Sequence, residues 1–391
     1  MKKSILFLIL FAVANLNAQY TPIPDPNFEA ALSAYDDIPG DGQVPTQAID
    51  TVTTLIIENL NIQDLTGIQD FTALKILRCG YNNIQYIDIS NNQQLRRLQF
   101  PNNQVSSIDV SQNANLKVLQ FTNNQISTID VSNNPLLEYL GTGDNPISQI
   151  DVSQNPALIY LYCYNNQLTD IDVSNNPLLY RLNCAGNSLT QIDVSNNPEL
   201  WQLNIRNNQI SQLDVSMLPD LGWLDVRQNQ LTNLNLDNNP ALTKFLCRDN
   251  QLTDLSIMNG HIDQMEPDWF DARNNPGLYC IFVDDATWAS EFLTNIDPQT
   301  HFVETQSECD TYGINDYTTM SYSIYPNPVQ DKIYLKNITK GTYQIIDITG
   351  QIYLSGQITG KFIYAEKLPK GMYILKLQND KEVRKEVILK E

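Results

Sequence analysis

Histidine, the side chain best suited to proton transfer near neutral pH, occurs only at His261 and His301 in a chain of 391 residues. Neither has a nucleophile in register with it, and no HExxH, GxSxG, phosphate-loop or Cys/His metal spacing is present. Pairs of Asp and Glu are plentiful, so the one catalytic chemistry left open is glycan hydrolysis by two carboxylates. The segment Asp36-Asp37-Ile38-Pro39-Gly40-Asp41-Gly42 has the look of a calcium loop. The twelfth position counted from Asp37 is Ala48, however, where an EF-hand places a bidentate Glu, so it reads as an acidic turn. No cofactor is implied.

Charge narrows the partners. Acidic residues number 44 against 24 basic ones, a formal net charge of −20. Residues 325–391 hold 11 Lys and Arg and 7 Asp and Glu, a net of +4, which leaves −24 on the residues before them. A surface so negative repels phosphate backbones, so nucleic acid is not an expected partner.

What the sequence offers in place of catalytic motifs is repetition. Leucine recurs every 21 residues from Leu74 through Leu158 to Leu242, and asparagine in the same register from Asn82 through Asn166 to Asn250. A typical copy is Leu158-Ile-Tyr-Leu161-Tyr-Cys163-Tyr-Asn-Asn166-Gln-Leu168. This L-x-x-L-x-Φ-x-x-N-x-Φ pattern is the leucine-rich repeat signature. Its second half, Leu168 to Asn176, repeats the pattern in shorter form, so each copy nests two units of 10 and 11 residues. The chain resembles the bacterial leucine-rich repeat proteins of nested periodicity. Two strands per coil, and two parallel sheets facing each other across a thin core, are therefore expected. Leu161, Cys163, Ile171 and Val173 point inward, and the asparagines satisfy backbone groups of adjacent coils. A less regular first copy is read at Leu55-x-Ile57-x-x-Leu60-x-Ile62. About ten coils follow an N-terminal cap over residues 19–54, and the solenoid runs over 55–277.

Both ends carry addresses. Lys2-Lys3, the apolar run Ile5–Ala14 and the small residue Ala18 have the layout of a secretory signal peptide over residues 1–18, cleaved after about Ala18. Ten apolar residues are too few to span a bilayer, and no longer run occurs, so no transmembrane segment is expected in the mature form. From residue 323 the pattern changes to alternating apolar residues with glycines at turns, which predicts a small antiparallel β-sandwich. Tyr325-Pro326-Asn327-Pro328, Asp347-Ile-Thr-Gly350-Gln and Leu368-Pro-Lys-Gly371-Met-Tyr373 resemble the type A C-terminal sorting domain of the type IX secretion system. The resemblance implies a partner, the secretion machinery engaging residues 323–391, and a destination, secreted or on the outer-membrane surface of a Gram-negative bacterium. Residues 310–322 are read as a linker.

The expected fold is thus mainly β: a leucine-rich repeat solenoid of parallel strands with capping segments, followed by a small antiparallel β-sandwich. On one face Asp88, Asp109, Asp130, Asp151, Asp172, Asp193 and Asp214 form a column, with serines two residues on. Hydrogen bonds from the next coil answer these charges in the favoured reading, with no metal bound. The weaker alternative is calcium held by Asp130, Asp151, Asp172 and Asp193. The other face is heterogeneous, with Tyr139, Tyr160, Tyr162, Tyr164, Arg181, Arg206, Trp223, Arg227 and Arg248. Exposed Tyr, Trp and Arg anchor interfaces, and Arg206, Arg227 and Arg248 in one column suggest an acidic or glycan-bearing ligand. Gly141 and Gly143 are expected to leave a shallow depression beside the tyrosines. Cys79, Cys163, Cys184 and Cys247 fall in an inward slot as free thiols. Leu278-x-x-Ile281-x-Val283 reads as the last strand with Cys280 outward, and Cys280 pairs with Cys309 to staple a C-terminal cap over 278–309. The expected function is non-enzymatic binding of an extracellular protein or glycan. A calcium-dependent adhesive surface protein is the alternative, and a glycan-degrading enzyme a more distant one.

Overall fold

The computed structural model describes residues 19–312, 323–325, 327–336, 340–347, 350–378 and 383–391. The signal-peptide segment, Pro326 and residues 313–322 lie outside them. The chain divides into two units, one ending at Tyr312 and one beginning at Gly313.

In the first unit each L-x-x-L-x-Φ segment makes a three-residue strand whose central residue is buried and whose flanks point out, as in Tyr160–Tyr162 and Arg181–Asn183. Eleven such strands, from Thr54–Ile56 to Phe270–Asp271, form one parallel sheet. The 21-residue spacing becomes the register directly, with Tyr139 opposite Tyr160, Tyr160 opposite Arg181, Arg181 opposite Gln202 and Gln202 opposite Trp223. Leu161, Cys163, Ile171 and Val173 lie in the resulting core, along with Leu74, Leu158 and Leu242. The eleventh strand follows an irregular insertion holding two short 3₁₀ turns, Ile262–Gln264 and Pro267–Trp269.

Asparagines hold both corners of most coils, with Leu218 taking the second-corner position in one. After the sheet strand, Asn145 accepts the Ile126 N–H at 3.0 Å and donates to the carbonyls of Phe121, Thr142 and Gly143. Asn82, Asn103, Asn166 and Asn208 repeat this arrangement. At the other corner Asn155 donates to Val131 O at 3.0 Å and to Asn134 O at 2.9 Å, and its own Oδ1 makes no hydrogen bond. Coils are thereby tied through buried side chains as well as through the ladder, which satisfies the carbonyls that a turning backbone exposes.

The expected second sheet is present only at the C-terminal end. Asn233–Asn235, Asp254–Ile257, Cys280–Val283 and His301–Val303 form a parallel four-stranded sheet, whereas the Asp–Ser segments of the earlier coils pair with no neighbour. The reason lies in which groups take the backbone. Ser153 N–H donates to Asp151 Oδ1 at 2.9 Å within its own coil, and the Val131 carbonyl accepts from Asn155, so both sides of the ladder are occupied by side chains. Where Leu236 N–H instead donates to Ser256 O at 2.8 Å, the sheet begins.

The caps follow the same economy of buried donors. Helix Pro26–Ala31 starts at Asp25, whose Oδ1 accepts from Asn27 N and Phe28 N at 2.9 Å while Oδ2 accepts from Gln63 N at 2.7 Å and Asp64 N at 3.1 Å. Burial alone would raise the Asp25 pKa; these four backbone donors outweigh it and hold the carboxyl below its ordinary value. One side chain therefore caps a helix and fastens it to the first coil. At the other end the ladder continues beyond 283 to His301–Val303, so Cys280–Val283 is not the last strand. Cys280 lies on the strand side opposite the core residues Ile281 and Val283, and it is buried because helix Gln306–Tyr312 brings Cys309 over it in a disulfide with Cα atoms 5.8 Å apart. That helix takes in residues 310–312, which were read as linker. Cys79, Cys163, Cys184 and Cys247 are free and buried, with the Cys163 and Cys184 sulfurs 3.4 Å apart.

The second unit is antiparallel, with a three-stranded sheet that includes Ser323–Tyr325 and Lys332–Lys336 and a four-stranded sheet that ends in Gly371–Gln378 and Val383–Lys390. Its motif residues do structural work. Asn327 exchanges hydrogen bonds with Val387 O and Leu389 N, and Gly350 (φ +89°) closes the Asp347–Gln351 turn. The Tyr373 hydroxyl donates to Pro369 O at 2.9 Å. No helix among the described residues is long and apolar enough to cross a membrane.

Candidate functional site

Strand register lays out the candidates on the outer side of the eleven-stranded sheet. One column runs Tyr139, Tyr160, Arg181, Gln202, Trp223, Lys244, and the next runs Gly141, Tyr162, Asn183, Asn204, Asp225, Leu246. The rings form a connected run. Tyr139 lies 6.0 Å from Tyr160 and 5.4 Å from Tyr162, and the Tyr160 and Tyr162 rings are nearly parallel at 6.4 Å. Tyr160 then meets Tyr180 edge-on at 6.4 Å, and Tyr180 stacks on Trp201 at 5.8 Å. Arg181 lies over both of the last two, its guanidinium carbon 5.8 Å from the Tyr180 centroid and 5.3 Å from that of Trp201. A second group sits nearer the C-terminal end, where Trp223 meets Trp269 at 5.5 Å and Lys244 Nζ lies 4.8 Å from the Trp269 centroid.

Tyr180, Trp201 and Trp269 were not among the sequence candidates. Tyr180 and Trp201 precede the strand, in a column set aside when only the residues around L-x-Φ were counted. Trp269 comes from the insertion, whose path periodicity does not give. The depression expected at Gly141 and Gly143 is not there, because tyrosine rings fill it. A Cβ on Gly143 would lie 2.5 Å from the Tyr164 ring, and one on Gly141 would lie 3.0 Å from Tyr139. Gly222 is likewise covered by the Trp201 indole. Packing of this kind pushes the Tyr139 phenol up to about 12, through burial first and then the nearby Tyr162 and Tyr164 phenols; burial also raises Tyr164.

Arg206, Arg227 and Arg248 do stack on successive coils, but they are not a free cationic stripe. Arg227 makes a two-pronged bond to Asp225 at 2.9 and 2.6 Å, and Arg248 pairs with Asp249 at 3.2 Å. Arg273 extends the column and is held by Asp271 in the same way as Arg227. Arg206 bonds Gln228 at 3.0 Å. An acidic ligand therefore does not meet three unanswered charges there. Asp225 occupies the outward position two residues before Arg227, and that i, i+2 spacing was the signal available in the sequence.

The Asp column faces outward, yet each carboxylate is engaged in its own coil and not by the next one. Asp88, Asp109, Asp130, Asp151, Asp172, Asp193 and Asp214 all accept the N–H of the serine two residues on, at 2.8 to 3.0 Å. The same turn is built by Asn235 with Asp237, which lengthens the column at its C-terminal end, and by Asp64 with Thr66 outside the column. The serine N–H and hydroxyl hold these carboxyls below their usual range; neighbouring carboxylates push Asp109 and Asp151 the other way without reversing it. Among the described residues no cluster of three or more His, Cys, Asp or Glu could hold a metal ion. In the acidic turn, Glu29 Oε1 accepts from Gly40 N and Gly42 N, and Asp37 accepts from the Tyr20 hydroxyl. His301 stacks on Tyr312 at 4.0 Å, and His261 leads into the first 3₁₀ turn of the insertion.

Comparison with known proteins bears on the two units separately. Residues 323–390 match the family model described as a secretion system C-terminal sorting domain. A stretch of 69 residues, 18% of this chain, is 36% identical to internalin J of Listeria monocytogenes, and it amounts to 8% of that protein's length. Among solved structures, the functional domain of InlJ from Listeria monocytogenes, described as including a cysteine ladder, superposes with a TM-score of 0.56 at 24% identity. That match covers 96% of this chain and 99% of the other. An internalin C2 structure from the same species matches at 25% identity and a TM-score of 0.47, over 55% of this chain and 97% of its own. The first unit thus has the parallel-strand solenoid fold of leucine-rich repeat proteins, and the second is a type IX secretion sorting domain that directs the protein to the outside of the cell or to its outer-membrane surface.

Proposed function

We propose that the protein is an extracellular binding module that performs no chemistry and presents the outer side of its eleven-stranded sheet to a protein or glycan. The supporting observation is the run of rings from Tyr139 to Trp201 on four consecutive coils. Elsewhere on the same sheet side several charges are paired, as in Arg227–Asp225 and Arg273–Asp271. Aromatic side chains left half-exposed on a rigid frame supply contact area at little entropic cost. Export through the signal peptide, cleaved after about Ala18, and through the sorting domain places that frame outside the cell. Whether the mature form is released or held at the surface depends on processing after Tyr312.

The test is retention of the full-length protein on arrays of immobilised glycans and extracellular proteins, for the parent and for Tyr160→Ala with Trp201→Ala. Loss of retention in the double variant, with an unchanged unfolding midpoint, is the expected result. Retention that survives this change but disappears with EDTA, or with Asp130→Ala and Asp151→Ala together, would move the binding surface to the Asp–Ser side. It would also bring forward the calcium-dependent adhesive alternative.

A further inference from the structure

Resting on that reading of the sheet side, we infer that the ligand is a carboxylated polysaccharide, with Arg181 receiving the carboxylate and the rings of Tyr160, Tyr180 and Trp201 receiving the sugar faces. Three observations lead there. Arg181 is the cation set within the ring run, and unlike Arg78, Arg227, Arg248 and Arg273 it makes no ion pair among the described residues. Its Nε is buried without a hydrogen-bond partner, sealed by the rings beneath it. The guanidinium thus lies beside two rings with no hydrogen bond or ion pair among the described residues, and its planar fork suits two-pronged recognition of a carboxylate.

The chemistry of the strip favours a sugar polymer over a peptide. Rings recur on successive coils, with neighbouring centroids 5.8 to 6.4 Å apart, and so form a continuous apolar strip. A peptide cannot add to the sheet here, since the backbone groups of these strands already serve the inter-coil ladder. Amide groups border the rings, with Asn183 opposite Tyr162, Asn204 opposite Asn183 and Gln120 opposite Gly141, while the tyrosines supply hydroxyls. That mixture of flat apolar surface and polar edge matches a ligand whose faces are C–H and whose rims are hydroxyl.

The experiment titrates the full-length protein with octamers of galacturonate, of mannuronate and of hyaluronan, and with neutral octamers of β-1,4-linked galactose and glucose. Heat of binding in isothermal titration calorimetry is the readout. At least one acidic octamer is expected to bind tenfold or more tightly than either neutral one. Arg181→Gln should remove that advantage, Arg181→Lys should restore part of it, and Trp201→Ala should abolish binding of all octamers. Equal binding of acidic and neutral octamers, indifferent to Arg181→Gln, would overturn the inference and leave the surface reading standing. Failure of every octamer to bind would overturn it too, and protein ligands retained on the array in a Tyr160- and Trp201-dependent way would then carry the broader reading alone. Unfolding midpoints of the variants within a degree of the parent show that the fold is intact. If Trp201→Ala lowers the midpoint, Tyr180→Ala takes its place.

Discussion

The two long sides of the solenoid are made from the same 21-residue copy, yet one is varied and the other monotonous. On the sheet side, Tyr, Arg, Gln, Trp and Lys alternate down a single column. On the opposite side Asp and Ser recur coil after coil. The difference follows from what satisfies the backbone. Sheet-side N–H and C=O groups are met by the neighbouring coil's backbone, so any side chain that points outward is tolerated. On the other side a carboxylate takes one donor and a buried asparagine takes the acceptor, so the side chains themselves are the scaffold. Variation is permitted where the main chain looks after itself.

The sharpest way to break this comparison is at the corners. Asn145, with four hydrogen bonds, ties coils on the sheet side; Asn155, with two, does so on the other. Asn145→Ala strands several buried backbone groups and should cost about 3 kcal/mol or more in urea unfolding, with Asn155→Ala about half that. Equal losses would mean that the two corners carry the same weight. Next in size, Gly143→Ala puts a methyl into the Tyr164 ring and should cost about 2 kcal/mol by overpacking. Adding Tyr164→Ala should recover much of that loss, and a purely additive double variant would show that ring and glycine are not coupled.

Arg227→Gln leaves Asp225, which is 1% exposed, without its partner, and should lose about 2 kcal/mol because an unpaired buried charge is costly. Arg227→Gln with Asp225→Asn together should lie closer to the parent. A smaller effect separates acceptor from charge in the Asp column. Asp151→Asn keeps an oxygen for the Ser153 N–H and should hold the parental midpoint, as Asn235 already does for Asp237. Asp151→Ala loses that oxygen and should unfold slightly earlier. The pH dependence follows from the sign of the shifts. These carboxyls are held below their ordinary value of about 3.9, so their contribution is present above it and is lost as pH falls through the depressed value. The unfolding midpoint should therefore be flat from pH 8 to about 5 and drop below about 4. Least of all, millimolar calcium or EDTA should leave the midpoint where it is; a rise of several degrees on adding calcium would show that the carboxylates bind the ion.

Much of this architecture is legible in the residues, and the failures share a cause. Period, register and core are written in Leu74 to Leu242 and Asn82 to Asn250, because a solenoid reads spacing directly into contact. The second sheet was over-read, since Φ-x-Φ spacing reports which residues turn inward and not whether Asp151 or the next coil claims the Ser153 N–H. Asp225 escapes a column-by-column reading of charge, because its partner Arg227 lies two residues further along the same coil. Trp269, delivered to Trp223 by an irregular insertion, has no periodic signal at all.

The uninterrupted register from Leu74 to Leu242 also bears on how such a chain changes over generations. Each coil touches only the coils before and after it, and both ends are sealed by separate caps, with Asp25 at one and the Cys280–Cys309 staple at the other. An in-frame duplication or loss of one copy by unequal recombination therefore preserves every corner asparagine and both seals. It alters only the length of the ring-bearing strip, so reach can be inherited independently of chemistry.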